Sequence, residues 1–92
     1  MKILLNWTYE SDVVECPKEI AEKLLYYQVK FDEWIHKDDN NYWIDGRFGF
    51  DSNAFVDWLN TYILVQNKEK AEIIQSGINP TEEQKKLPHI NF

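Results

Sequence analysis

Residues 17–37, with the sequence PKEIAEKLLYYQVKFDEWIHK, carry the clearest structural pattern of the chain. Apolar residues recur there every three or four positions, a spacing that places them along one face of an α-helix. These residues are Ile20, Leu24, Tyr27, Phe31, Trp34 and Ile35. Pro17 suits the first turn, where its missing N–H is no loss, and the turn-forming residues 38–41 (DDNN) follow the helix. The pattern predicts one amphipathic helix over 17–37.

The residues before this helix alternate between apolar and polar. The apolar positions are Ile3, Leu5, Trp7 and Tyr9, with Leu4 as an exception to the alternation. A period of two is typical of a strand with one buried face, so we predict a strand over 2–10. Residues 10–16 are acidic, and we predict that they form a connection to the helix.

The residues after the helix indicate β structure in one of two forms. Residues 42–50 read YWIDGRFGF. If Asp45-Gly46 forms a two-residue turn, Trp43 and Phe48 pair across two short strands. If the chain runs straight, alternate residues of one strand share a face. We favour the hairpin, because Asp-Gly is a strong turn signal.

A second helix is predicted after Asp51 or Ser52, either of which can cap it. Its apolar stripe comprises Phe55, Trp58, Leu59, Tyr62 and Ile63. Two ends are open: near Asn67, or at Ser76 with Gly77 as the residue that follows the helix. Residues 79–82 predict a short helical turn, capped by Asn79 and with Pro80 at its first position. Residues 89–92 predict a final strand or an ordered tail.

The order of these elements predicts an α+β fold. Ninety-two residues with 43% apolar and 15% aromatic content suit a single domain over 1–92. The elements run β-α-β(β)-α-(α)-β. The economical arrangement is a small two-layer sandwich in which a short antiparallel or mixed sheet is packed by two amphipathic helices.

Composition excludes several classes of partner and compartment. The net charge of −6 disfavours direct binding to nucleic acid or to an anionic membrane surface. Cys16 is the single cysteine, so an internal disulfide is impossible and a reducing compartment is favoured. The apolar run at residues 3–5 is shorter than a signal peptide requires. We therefore expect a cytoplasmic protein, and the richness in Asn, Ile and Lys is typical of a bacterial or phage gene.

The chain offers little for catalysis. Cys16 with His36 or His89 is the one combination of nucleophile and base, and a helix start beside Cys16 could lower its pKa. The three glycines form no phosphate-binding motif. The acids near His36 lack the spacing of a calcium loop, and paired Cys and His ligands for zinc are absent. We therefore expect no enzymatic activity, no cofactor and no metal.

The acidic aromatic segment, residues 38–58, is the strongest functional candidate. Five aspartates against Arg47 give it a net charge of −4. Phe55 and Trp58 are predicted to belong to the core, which leaves other aromatic residues for a surface. The candidate binding residues are Asp38, Asp39, Tyr42, Trp43, Asp45, Arg47 and Phe48.

Aromatic anchors surrounded by carboxylates suit the basic surface of a partner protein, since aromatic rings supply contact area and charges steer the encounter. The sequence thus favours a small protein-binding regulator, such as an inhibitor, an immunity-type protein or a phage-encoded modulator. Two alternatives stay open. One is a small enzyme or enzyme subunit that uses Cys16 or His36, and the other is a homo-oligomeric structural subunit with Trp43 and Phe48 in a self-contact. The partner and the oligomeric state are not predicted.

Overall fold

A computed structural model describes residues 1–37 and 50–92, together with the backbone of two short strands between them. The strands are β1 (Lys2–Asn6), β2 (Ser11–Glu15), β3 (Trp43–Ile44), β4 (Arg47–Phe48), β5 (Glu72–Ile78) and β6 (His89–Asn91). The α-helices are α1 (Lys18–Glu22), α2 (Leu24–Ile35) and α3 (Ser52–Trp58). A π-helical turn (Leu59–Ile63) continues α3, and a 3₁₀ turn (Gln84–Lys86) precedes β6.

A mixed four-stranded sheet forms one layer, in the order β5-β2-β1-β6. The β5-β2 and β2-β1 pairs are antiparallel, whereas β6 runs parallel to β1. The helices supply the second layer, and residues from sheet and helices share one hydrophobic core. The predicted α+β architecture is therefore confirmed as a small two-layer sandwich with a mixed sheet.

The N-terminal strand is shorter than predicted, and the acidic residues after it form a strand of their own. The chain turns after Asn6, and the Trp7 N–H donates to the Glu10 carbonyl at 2.8 Å. β2 then pairs with β1 over its whole length. The prediction of an acidic connection over 10–16 is thus wrong, because Val13 and Val14 are both buried in the sheet.

The N-terminal sheet strands are buried on both faces, which explains the break in alternation at Leu4. Ile3 and Leu5 lie in the core shared with the helices. Leu4 is 2% exposed on the opposite face, opposite Val13 in the register. A small cavity on that side is lined by Leu4, Pro80 and Lys85, so the C-terminal segment lies over this face. Tyr9, predicted to lie on the buried face, is 93% exposed in the turn.

The helix predicted over 17–37 is two helices with a break at Lys23. Lys23 has φ −122° and ψ 34°, outside the helical range, and separates α1 from α2. The apolar stripe is nevertheless buried at Ile20, Leu24, Phe31 and Ile35. Across the described residues, no helix is long and apolar enough to cross a membrane.

Phe31 is the centre of an aromatic cluster that joins the layers. Its ring lies 5.2 Å from that of Phe55 and 5.3 Å from that of Phe50, both edge to face. The rings of Trp58 and Phe92 lie 5.7 and 6.1 Å away. Such edge-to-face pairs add roughly 0.5–1.5 kcal/mol each beyond the burial of their surface, so this cluster holds α2, α3 and the C-terminal residues together.

The second helix ends before Asn67, so the shorter of the two predicted lengths is confirmed. Asp51 caps α3 as expected, accepting a hydrogen bond from the Asn53 N–H at 3.0 Å. The π-helical turn ends at Ile63 and is followed by Leu64, whose N–H donates to the Leu59 carbonyl at 2.7 Å. The extension to Ser76 is wrong, because residues 72–78 form β5.

Gly77, predicted to follow a helix, lies instead within β5 at a positive φ of 66°. Its N–H donates to Asp12 Oδ1 at 2.8 Å. The β2-β5 register is irregular on both sides of Val13. A glycine at this position lets the backbone turn toward Asp12 without steric cost.

The C-terminal segment contains the predicted short turn and final strand, with a different cap. The Gln84 N–H donates to Thr81 Oγ1 at 3.1 Å, and the Thr81 N–H donates to Gln84 Oε1 at 2.9 Å. This reciprocal pair is a capping box, so Thr81 rather than Asn79 provides the cap. β6 follows and binds β1 through the Phe92 N–H, which donates to the Asn6 carbonyl.

Candidate functional site

The hairpin interpretation of residues 42–50 is confirmed in the backbone of β3 and β4. The two strands are antiparallel, with Trp43 opposite Phe48 and Ile44 opposite Arg47. This register matches the one predicted for a turn at Asp45-Gly46. The predicted binding residues Asp38, Asp39, Tyr42 and Asp45 lie outside the described residues, as does the turn itself.

The aromatic residues at the C-terminal end of the acidic aromatic segment belong to the core, as predicted. Phe55 is fully buried and Trp58 is 5% exposed. Phe50 is half-buried, and its ring packs edge to face against those of Trp7 and Phe92 at 5.6 and 5.7 Å. Phe50 therefore lies at the boundary between the core and the surface.

A groove opens at this boundary, between α2 and the C-terminal end of β6. Its volume is about 570 Å³. Within the described residues, the apolar part of its lining consists of Val29, Phe50 and Phe92. Three different parts of the chain thus form one concave surface, and one of them, Phe50, belongs to the acidic aromatic segment.

The polar part of the groove lining is acidic. Asp32 and Glu33 lie on α2 beside Gln28, and the described residues that line the groove include no lysine or arginine. The Gln28 amide donates to the Asn91 carbonyl at 2.7 Å, which ties α2 to the edge of the sheet. The carboxylates of Asp32 and Glu33 therefore remain as the charged groups on its rim.

The outer face of α2 carries exposed apolar residues next to the groove. Leu25 is 69% exposed, Tyr26 56% and Val29 51%. Val29 is also part of the groove lining, so this apolar face and the groove are continuous. These residues were not predicted from the sequence, because they lie outside the buried stripe of the helix. Leu25 and Val29 are four positions apart, and this spacing indicates a second apolar face of the helix.

The catalytic alternative is weakened by the environment of Cys16. The side chain is 3% exposed, and burial raises the pKa of its thiol from the ordinary value of 9.0 to about 11. The shift is opposite to the lowering that a helix start could cause, so the thiol is protonated at neutral pH. The His36 ring lies at the end of α2, with Nδ1 2.7 Å from the Asp32 carbonyl oxygen.

A buried polar cluster brings Asp12 and Ser52 together. The Ser52 hydroxyl donates to Asp12 Oδ2, and Ser52 Oγ accepts a hydrogen bond from Trp7 Nε1 at 2.7 Å. Ser52 is 1% exposed. A hydroxyl enclosed in this way cannot reach a substrate, so we interpret the cluster as structural.

Two further features of the described structure concern metal ions and small ligands. Among its residues, no group of three or more His, Cys, Asp or Glu side chains is arranged to hold a metal ion. The acidic residues Asp38, Asp39 and Asp45 near His36 lie outside that part of the chain. A second cavity of about 690 Å³, lined by Pro17, Ile63 and Lys68 among others, is a wide surface depression with mixed polar and apolar walls.

Comparisons with known proteins add no identification. No protein-family model matches the chain, and no curated protein or solved structure matches it significantly. The groove, its carboxylates and the exposed apolar face of α2 are therefore the features of the chain that bear on its function.

Proposed function

We propose that the protein is a small acidic regulator without enzymatic activity, of the inhibitor, immunity or phage-modulator type, that binds a basic site on a partner protein. The binding surface combines the acidic aromatic segment with the adjoining groove on α2. In the segment, the proposed contacts are Asp38, Asp39, Tyr42, Trp43, Asp45, Arg47 and Phe48. In the groove they are Val29, Asp32, Glu33 and Phe50.

The observation that carries the proposal is the chemical match between the groove and the segment. Both combine aromatic or apolar residues with carboxylates, and the two meet at Phe50. Buried anchors of this kind supply most of the energy of a protein interface, whereas acidic groups at the rim speed association with a basic partner.

The distribution of charge supports a basic protein rather than a nucleic acid or a membrane as the partner. The segment alone has a net charge of −4, out of −6 for the whole chain. This local negative potential attracts Lys and Arg side chains and repels phosphate groups. A cytoplasmic location belongs to the same proposal and is supported by the single cysteine.

Charge reversal in the segment tests the proposed function. We expect an Asp38→Lys, Asp39→Lys, Asp45→Lys variant to lose the partner that the wild-type protein captures from a lysate of its source cell or host. The matched control reverses three exposed acids elsewhere, as Glu19→Lys, Glu69→Lys, Glu83→Lys, and so has the same net charge. Circular dichroism and thermal unfolding establish that both variants are folded.

Retention of the partner by the triple aspartate variant would contradict the proposed function. Equal loss in both variants would also contradict it, because net charge and not the segment would then govern binding. Loss in the aspartate variant with retention in the control is the result that the proposal requires.

A further inference from the structure

The groove beside α2 has the size of a site for a side chain or a small ligand. Its volume of about 570 Å³ lies within the range of roughly 300–1,000 Å³ that is typical of ligand pockets. The Phe50 and Phe92 rings meet edge to face, with centroids 5.7 Å apart. Val29, which is 51% exposed, completes the apolar wall from the helix.

The two charged side chains among the described residues that line the groove are both carboxylates. The Asp32 side chain is 66% exposed, and its Oδ1 lies 3.4 Å from His36 Nδ1. Within the described residues, the Glu33 carboxylate has no ion-pair partner. The Gln28 amide is already bonded to the Asn91 carbonyl. Within the described residues, the groove thus offers an apolar body and an acidic rim on which Glu33 lacks a cationic partner, and this fits a ligand group with an apolar stem and a cationic end.

The aromatic lining distinguishes between the two basic side chains. A guanidinium group is flat, weakly hydrated and able to stack on an aromatic ring while it donates two hydrogen bonds to one carboxylate. A lysine ammonium is more strongly hydrated and lacks this planar geometry. Rings and carboxylates in one groove therefore favour arginine.

We propose that the groove formed by Val29, Phe50, Phe92, Asp32 and Glu33 is a subsite for an arginine side chain of the partner protein. This inference rests on the proposed function, since it names the residue type that the basic partner inserts beside the acidic aromatic segment.

Two short peptides test the subsite without knowledge of the partner. The probes are acetyl-Gly-Arg-Gly-Arg-Gly-amide and its counterpart with lysine in place of arginine. Binding is followed by the shifts of the backbone amide signals in ¹H-¹⁵N NMR spectra. We expect the arginine peptide to shift the signals of Val29, Phe50 and Phe92, and to bind about fivefold more tightly than the lysine peptide.

Three variants locate the binding. Glu33→Gln removes the unpaired carboxylate and is expected to weaken the arginine peptide about fivefold. Val29→Lys places a cation inside the groove and is expected to abolish the shifts. The matched control, Glu19→Gln, removes an exposed acid from α1 and should leave affinity unchanged.

Equal affinity for the two peptides, shifts away from the groove, or unchanged binding in Glu33→Gln would overturn the subsite. So would concentration-dependent broadening of the Val29 and Phe50 signals without peptide, because the groove would then receive a second copy of the chain. None of these variants touches residues 38–45. If the peptides do not bind the groove but charge reversal in the segment still prevents capture of the partner, only this inference is overturned. If the arginine peptide binds the groove but the triple aspartate variant still captures the partner, the proposed function is overturned.

Discussion

Asp12 is a buried acid whose carboxyl group is satisfied by hydrogen bonds. Its carboxylate accepts from the Ser52 hydroxyl and, at 2.8 Å, from the Gly77 N–H. Ser52 in turn accepts from Trp7 Nε1. Buried charged groups are tolerated when their oxygens are satisfied in this way. The cluster therefore joins the β1-β2 turn, the start of α3 and the bulged strand β5.

Removal of the Ser52 hydroxyl should destabilise the fold. Ser52→Ala leaves an Asp12 oxygen and the Trp7 N–H without their partner, and we expect the free energy of unfolding to fall by roughly 1–3 kcal/mol. Urea unfolding monitored by tryptophan fluorescence measures the change. Ser76→Ala, at an exposed position of β5, is the control and should alter stability by less than about 0.5 kcal/mol. Equal stability of the two variants would contradict a structural role for the cluster.

Gly77 should not tolerate a side chain, because of its backbone conformation. At φ 66°, an L-residue with a Cβ costs roughly 1–2 kcal/mol. The added Cβ would also lie 3.0 Å from Glu10 Oε2, but that atom is the end of a flexible, exposed side chain and can move. We therefore expect Gly77→Ala to destabilise the protein in urea unfolding, and Gly77→Asn to do so less.

The Glu10→Ala, Gly77→Ala double variant separates the two effects. If the positive φ causes the destabilisation, the double variant is as unstable as Gly77→Ala alone. Full recovery of stability in the double variant would show that the contact with Glu10, and not φ, is responsible.

Cys16 should make stability dependent on pH in the alkaline range. The unfolded thiol ionises near its ordinary pKa of 9.0, whereas burial raises the folded pKa to about 11. The folded protein therefore holds its proton longer, and the free energy of unfolding should fall as the pH rises above about 9. Urea unfolding at several alkaline pH values compares the wild type with Cys16→Ala, which keeps every other ionisable group. An equally steep decline in both proteins would contradict this assignment.

At the scale of elements, Asn60 connects the π-helical turn to the strand that follows it. Its amide donates to the Ala71 carbonyl at 2.9 Å, and its Oδ1 accepts from the Ala71 N–H at 2.7 Å. The side chain thus forms the two backbone hydrogen bonds that a neighbouring strand would form, just before β5 begins. The Lys70 ammonium adds hydrogen bonds to the carbonyls of Leu64 and Val65 at the end of the π-helical turn.

Asn60→Ala should therefore loosen the start of β5 more than the centre of the sheet. We expect a loss of roughly 1–3 kcal/mol in stability, because two backbone groups of Ala71 lose their partner. Hydrogen exchange should accelerate at the Ala71 amide in particular. Asn53→Ala, at an exposed position of α3, provides the comparison. Unchanged exchange at Ala71 would show that the bidentate contact contributes little.

The elements predicted correctly from the sequence are those whose signals are local. The stripe of α2, the Asp51 cap and the Asp45-Gly46 hairpin register each depend on residues close together in the chain. β2 and β5 were missed because their evidence is non-local. In the sequence, Asp12 is typical of an acid in a loop, but its carboxyl group accepts hydrogen bonds from Ser52 and Gly77, which are distant in the chain. Strand β5 is likewise stabilised by its pairing with β2.

At the scale of the whole molecule, the sequence predicts where charge is concentrated but does not predict the groove. The concentration of aspartates in the acidic aromatic segment is visible in the sequence, and so is the helical stripe that buries Phe55 and Trp58. The groove is not visible, because Val29, Phe50 and Phe92 are brought together by tertiary packing. Exposed Leu25 and Val29 mark the helix face beside it, which makes α2 part of the proposed binding surface.

The salt dependence of binding shows whether an acidic surface holds the partner. Isothermal titration calorimetry of the purified protein with its captured partner, at about 0.05 M and 0.5 M NaCl, reports how far the affinity depends on exposed charges. We expect affinity to fall at least about tenfold at the higher salt concentration, because salt screens the carboxylates of the acidic aromatic segment. An affinity that is unchanged by salt, in a protein shown to be folded, would contradict an acidic surface that binds a basic partner.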